Sequence, residues 1–336
     1  MRDHESESDS YMPSNLSPVA GETTGEHQLA EPLVFRLGVT AATERLDKTL
    51  AQLLPQHSRS RLQGWIESGH VLMNGQPAKI RQLVGPGDII HVQPQQAPEE
   101  LAFTAEPLEF GVLEESEHWV IVDKPAGMVT HPGAGNWSGT LLNGLLYRYP
   151  ELARVPRAGI VHRLDKDTSG ILVVARTELA QTSLVRQLQA RSMHREYLAL
   201  VHGRLQQAGR VDLPIGRDPS VPVRMSAERP IAPKPAVTHY MPVLTGADAE
   251  GHVVTKLVCR LETGRTHQIR VHMASLRHPL LGDTLYGGTM ISGAARQMLH
   301  ARALAFEDPA DGRLVSFEAE LPEDFCKVEE YIEWEE

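Results

Sequence analysis

The sequence predicts an α+β protein, with a small helical module ahead of a larger domain built on strands. Three observations predict this. Short aliphatic and β-branched runs recur at 118–122, 170–175, 195–201, 236–242 and 257–262, each bounded by turn residues, as strands are. Apolar residues at helical spacing are confined to fewer places, chiefly 45–66, 140–147 and 177–191. Charge is also partitioned. The 336 residues carry −10 overall, yet residues 1–31 hold seven Asp/Glu against one Arg, and residues 307–336 hold twelve against two Lys/Arg. The centre is therefore basic by six charges, which the whole-chain average hides.

Residues 1–31 are rich in Ser, Glu, Gly and Pro. They cannot bury enough apolar surface to offset ordering entropy, so a disordered acidic tail is expected. A module over 32–93 follows. Leu46, Leu50, Leu53 and Leu54 share one helix face, and Pro55 ends it. Ser58 is the candidate N-cap of a second helix that turns Leu62, Trp65 and Ile66 inward. Asn74-Gly75 is a hairpin turn after a short strand, and 85–88 turns into a strand at 89–92. Residues 94–110 read as a Pro-rich linker.

The larger domain takes 111–336. Strand 118–122 runs into a turn at 123–127, and Leu141, Leu142, Leu145 and Leu146 make a buried helix face. Thr177 is expected to cap a helix to about residue 191, with Ala180, Leu184, Val185 and Leu188 inside. Residues 216–235 contain five Pro and four Lys/Arg, and read as too interrupted for regular structure: a basic clamp beside a cleft, or a tolerated insertion. Phe325, Val328, Tyr331, Ile332 and Trp334 predict a short docked helix at the end.

Two Cys, Cys259 and Cys326, exclude a disulfide framework or a Cys-based zinc site. His267, His272 and His278 lack the carboxylate or Cys partners a metal needs, so no metal is expected. No apolar run approaches the roughly 20 residues of a membrane span, and the start is unlike a signal peptide. A soluble, cytoplasmic protein is expected.

The chemistry is expected at 159–175, GIVHRLDKDTSGILVVA. The polar run from His162 to Ser169 leads into a strand apolar enough to be buried, and Gly170 suits a positive φ at the turn. A charged loop held beside a rigid strand is a common mount for catalytic groups, although a solvated loop has the same composition. HRLDKDTSG resembles the catalytic loop of the RluA family of RNA pseudouridine synthases. The strand–DKP–GMVTHPG passage, R-x-Y at 195–197 and G-R-T-H-Q-I-R at 264–270 follow that family's motif order. The pattern R-L-D-x-x-L, S-R-S-R, V-x-x-N-G and G-D in the first module resembles the small RNA-binding domain first described in ribosomal protein S-four.

The resemblance implies a fold, an activity and roles. The fold is a small S-four-like (alpha-L) domain followed by a synthase domain on a mixed, mostly antiparallel central sheet. The activity is isomerisation of uridine in 23S ribosomal RNA, without cofactor. HPGAGN, KPAVTHY and LETGRTHQIRVHMA are close to the branch acting on the helix 69 loop of the large subunit. Asp165 is then the catalytic carboxylate, Arg270 its basic partner and Tyr197 the aromatic that stacks on uracil. Ile269 packs on the base, Arg163 fills the gap it leaves, and His162 and Arg265 contact substrate. Arg45, Lys48, Arg59, Arg61 and Lys79 form a phosphate-binding face, and the partner is rRNA, bound by a monomer. The rivals are the same chemistry at another rRNA or tRNA site, and a non-catalytic RNA-binding assembly factor.

Overall fold

A computed structural model describes residues 31–95, 102–133 and 135–335. The expected acidic tail therefore lies, except for its last residue, outside the described residues. The chain divides into two compact units between residues 96 and 97.

The first unit contains β1 (Leu33–Arg36), β2 (Glu44–Arg45), α1 (Leu46–Leu53), α2 (Arg59–Glu67), β3 (Val71–Met73), β4 (Gln76–Pro77), β5 (Leu83–Val84) and β6 (Ile89–Val92). Leu46, Leu50, Leu62, Trp65 and Ile66 are all buried in one core, as their spacing predicts. Ser58 caps α2 by accepting from the Arg61 amide. Asn74 and Gly75 both take positive φ, the geometry of a two-residue hairpin turn. The sheet is larger than the hairpin expected. Strand β1 adds to β6, giving the order β1-β6-β3-β4. Its alternating burial is a strand signal, but four residues are too few to stand out in sequence.

The second unit opens with β7 (Gly111–Glu115), β8 (Trp119–Lys124), α3 (Leu141–Arg148), β9 (Ser169–Ala175), α4 (Glu178–Ala190) and β10 (His194–His202). It continues through β11 (Gly209–Asp212), β12 (Ile215–Arg217), β13 (Met225–Ser226), β14 (Ile231–Lys234), β15 (Val237–Ala247) and β16 (Val253–Leu261). Then come α5 (Gln268–Ser275), β17 (Leu299–Glu307), β18 (Leu314–Glu318), α6 (Glu323–Glu330) and β19 (Glu333–Trp334). The central sheet runs β11-β15-β16-β10-β17-β9-β8-β7. Only the β9–β17 pairing is parallel, so the sheet is mixed and mostly antiparallel.

Alternate residues send the two sheet faces into separate cores. Val120, Val122, Tyr197, Ala199 and Val201 pack with Leu141 of α3 and Ile269 of α5. On the other face Trp119 and Ile121 meet Ala180 and Leu184 of α4, while Leu198 and Leu200 meet Phe325 and Val328 of α6. The terminal helix therefore docks as expected, but Tyr331 stays exposed.

Three expectations are corrected. Residues 102–110 are part of the packed second unit: Asn143 of α3 donates to the Thr104 carbonyl, and Glu106 accepts from the Gly139 amide. Phe110 also packs on the core and Ala102 is buried, contacts that the irregular spacing of this segment does not reveal. Residues 215–234 form a three-stranded sheet, β13-β12-β14. Its Pro233 sits on the edge strand β14, where a missing N–H costs no ladder bond. On α4 it is Gln187 that is buried, with its amide exchanging two bonds with the Glu307 backbone, while Val185 and Leu188 are only partly covered.

Candidate active site

The loop from 160 to 169 is bracketed by two glycines that admit no side chain. A Cβ on Gly159 would lie 1.8 Å from the Ala175 carbonyl oxygen, and one on Gly170 2.2 Å from that of Ala301. Both have positive φ, 76° and 109°. Gly170 is inside β9, where it lets β17 come alongside in parallel.

Polar bonds hold the loop from below. The Thr130 hydroxyl donates to the Leu164 carbonyl at 2.7 Å and accepts from its amide at 3.3 Å. Lys124 is fully buried, and its amine donates to the carbonyls of Pro125, Met128 and Lys166. Three carbonyls match the three donors of an ammonium, though burial pushes its pKa down to about 7. Arg296 donates to the Asp167 carbonyl at 2.9 Å while pairing with Asp324 of α6. The His162 Nε2 accepts from the Val173 amide at 3.3 Å. That bond holds the ring against β9.

Asp165 projects from this frame to Arg270 of α5. The Arg270 Nη1 donates to its Oδ2 at 3.2 Å. The other edge of the guanidinium is taken by Asp283, which accepts from Nε at 2.7 Å and Nη2 at 2.9 Å. Asp283 is buried and Asp165 is the more open of the two, with side-chain exposures of 1% and 15%. Burial would lower the Arg270 pKa, but the bonds from Asp283 and the charge of Asp165 outweigh it and raise it above the usual arginine range. The cation is therefore fixed, and one of its edges is reserved for Asp165.

The start of α5 is fixed as firmly. The Gln268 side chain accepts from Thr263 and from the Arg265 amide, and donates to the Val237 carbonyl. Arg270 also stacks over the Tyr286 ring, 5.0 Å from its centroid, and Arg224 lies 5.3 Å from the same centroid. The Tyr286 hydroxyl accepts from the Met225 amide and bonds His267. The small sheet of 215–234 is thereby tied to the loop that carries Asp283.

Tyr197 and Ile269 share one apolar cluster with Leu164, the neighbour of Asp165. The Tyr197 hydroxyl feels Asp165, and burial raises its pKa. Arg163 is exposed at the loop surface, and its charge reaches His131 and His267. Arg265 is exposed and donates to the Pro235 carbonyl. In the first unit Arg45 and Arg59 both bind the buried Asp47 while remaining partly open. Lys48 pairs with Glu44, and Arg61 donates to the Gln95 carbonyl and lies over Trp65. Lys79 is exposed. Sequence reasoning missed Asp283 and Tyr286, although both lie in HPLLGDTLYGG, the only acidic and aromatic residues of that turn-rich passage.

Burial pushes the His162 imidazole down to about 3, and those of His131 and His300 to about 4. These values lie below the 6.5 of a free imidazole. The unfolded chain binds more protons between the two, so the stability from neutral rings is complete above about pH 6.5 and lost as pH falls toward 3–4. Thermal melting should accordingly weaken between about pH 6.5 and 4.5. A flat melting profile would show that these rings are open to solvent.

Comparison with known proteins places this geometry. The family model for RNA pseudouridylate synthase matches residues 118–275, and that for the S4 domain matches residues 44–90. The chain is 50% identical over 292 residues to the ribosomal large subunit pseudouridine synthase D of Nitrosomonas europaea, covering 84% of this chain and 83% of the relative. It is 45% identical over 311 residues to the protein of that name from Pseudomonas aeruginosa, covering 89% and 93%. The solved structure of human RNA pseudouridylate synthase domain containing 1 is similar with a TM-score of 0.51 and 30% identity, over 68% of this chain and 86% of that one. The two family models match one unit each and the identities span most of the chain, and on them the chain belongs to the RluA family of RNA pseudouridine synthases.

Proposed function

We propose that the protein isomerises uridine to pseudouridine in the 23S rRNA of the large subunit, in the helix 69 loop, with Asp165 as the catalytic carboxylate. The observation that carries this reading is the Asp165–Arg270 contact at 3.2 Å, next to the cluster that holds Leu164, Tyr197 and Ile269. Relatives bearing a large-subunit synthase name support rRNA as the substrate. The sequences HPGAGN, KPAVTHY and LETGRTHQIRVHMA support helix 69.

In this reading the target nucleotide is extruded at a cost of a few kcal/mol, roughly. Arg163, exposed at the loop surface, fills the vacated position and stacks there. Uracil is held against Tyr197 and Ile269. The N1–C1′ bond breaks with its electron pair on N1, the ring turns, and C5 bonds C1′. C5 loses its proton and N1 gains one, so the product is an isomer. Asp165 acts at C1′, at C6 or on the C2′ proton. Holding the freed ring in place is worth about 7–11 kcal/mol of barrier. Uracil leaves as a stabilised anion, so the reaction needs neither metal nor cofactor. Arg45, Lys48, Arg59, Arg61 and Lys79 bind phosphates and position the RNA without reading its sequence. The enzyme works as a cytoplasmic monomer.

Chemical mapping of pseudouridine in rRNA and tRNA from a deletion strain tests this. The helix 69 signals should vanish and return on complementation with the wild-type gene. Loss at another site would reject the target, and an unchanged map would reject the activity.

A further inference from the structure

One buried cation beside this site has no counter-charge among the described residues. Arg195 lies in β10, two residues before Tyr197, and is 7% exposed. Among the described residues its guanidinium makes no salt bridge and no hydrogen bond, and its Nε is buried without a partner. Nη1 lies so close to Gly264 that a Cβ there would sit 2.7 Å away. The charge is felt by His162 and Tyr197. The guanidinium thus lies among the catalytic loop, the strand of Tyr197 and the turn leading into the Arg270 helix.

Arg270 offers an internal comparison. It is as buried as Arg195 and receives two carboxylates, Asp165 and Asp283. An ion left without a partner in the interior costs several kcal/mol, roughly. Folding would be better served by an apolar side chain at 195, so the cost points to a ligand that brings negative charge. A flanking phosphodiester is charged before and after reaction, so pairing with it would hold substrate and transition state alike. The uracil ring becomes anionic only when its bond to C1′ opens, and Tyr197 is where that ring is held.

We infer that Arg195 is a catalytic residue that donates hydrogen bonds from its guanidinium to the carbonyl oxygens of the uracil anion as it leaves C1′. The inference rests on the proposed isomerisation. As the N1–C1′ bond breaks, the electron pair on N1 delocalises onto O2 and O4, and the guanidinium stabilises that charge. When C5 bonds C1′ and loses its proton, N1 is reprotonated and the base is neutral again. Nothing is oxidised or reduced. The cation has no anion among the described residues and gains one as charge develops, which is the condition for lowering a barrier.

The test uses the full-length protein, a 23S-derived RNA hairpin and single-turnover rates at saturating enzyme. For Arg195→Met, RNA affinity should stay within about threefold while the rate falls about 100-fold or more, the scale for losing one oxyanion donor. Melting temperature should hold or rise, because an unpaired buried charge is gone. In RNA carrying 5-fluorouridine the fluorine itself stabilises the ring anion. The Arg195→Met penalty on nucleoside consumption should then shrink by about tenfold. Arg195→Lys, which keeps the charge, should fall between wild type and Met and carries the same comparison if the Met variant folds poorly. A rate within about threefold of wild type overturns the inference. So does an equal penalty on the two nucleosides, or a loss confined to RNA affinity, which would make Arg195 a phosphate contact. A wild-type protein that forms no pseudouridine defeats the proposed function instead, whereas active wild type with active Arg195→Met defeats only this inference.

Discussion

Asp165→Asn is expected to abolish pseudouridine formation, by a factor on the order of 10⁴ or more, while the protein folds and binds RNA as before. The geometry separates these effects. Asp165 makes one 3.2 Å contact to Arg270, whose other edge is held by Asp283 through two shorter bonds. Removing the Asp165 charge does not orphan the cation, so stability should change by no more than about 1 kcal/mol. RNA affinity is set mainly by phosphate contacts and should be close to unchanged. What disappears is the charged oxygen that acts on the ribose or the base. Residual modification above about 1% of wild type would remove Asp165 from the chemistry.

The Asp283→Ala variant should fail differently, losing both stability and rate. Arg270 would then be buried with one long bond in place of three. Breaking a buried pair from one side costs roughly 3–5 kcal/mol, which lowers the melting temperature by about 10 °C in a unit of this size. The freed guanidinium would also swing fully onto Asp165 and cover the carboxylate that acts on the substrate. Turnover should drop at least about tenfold even at temperatures where the fold persists. Circular dichroism melting alongside single-turnover rates checks both. Unchanged melting would mean that Arg270 finds another partner, and that Asp283 does not hold it.

Much of the fold was legible from local pattern. The leucine spacing of α1, the Ser58 cap, the Asn74-Gly75 turn and the unbroken aliphatic run of β9 are each decided within a few residues. The segments that resisted are stabilised from elsewhere. Residues 102–110 depend on the Asn143 amide and on the Gly139 amide, which Glu106 accepts. The small sheet at 215–234 is held against its prolines by pairing with an edge strand and by the Tyr286 hydroxyl.

The sequence alone determined which side chains are available for chemistry and in what order, because HRLD, R-x-Y and G-R-T-H-Q-I-R are each contiguous stretches of the chain. The resemblance implied the Asp165–Arg270 pair, but only the tertiary structure decided that Asp283 takes the other edge of Arg270 and that Arg195 is left unpaired among the described residues. Asp165 is 105 residues from Arg270 in the chain, and Arg195 is likewise distant from Gly264. Whether a buried arginine meets two carboxylates or none depends on how β10, α5 and the loop after it pack on the sheet. Electrostatic energy falls off over a few ångströms of space, and sequence separation carries no information about that distance.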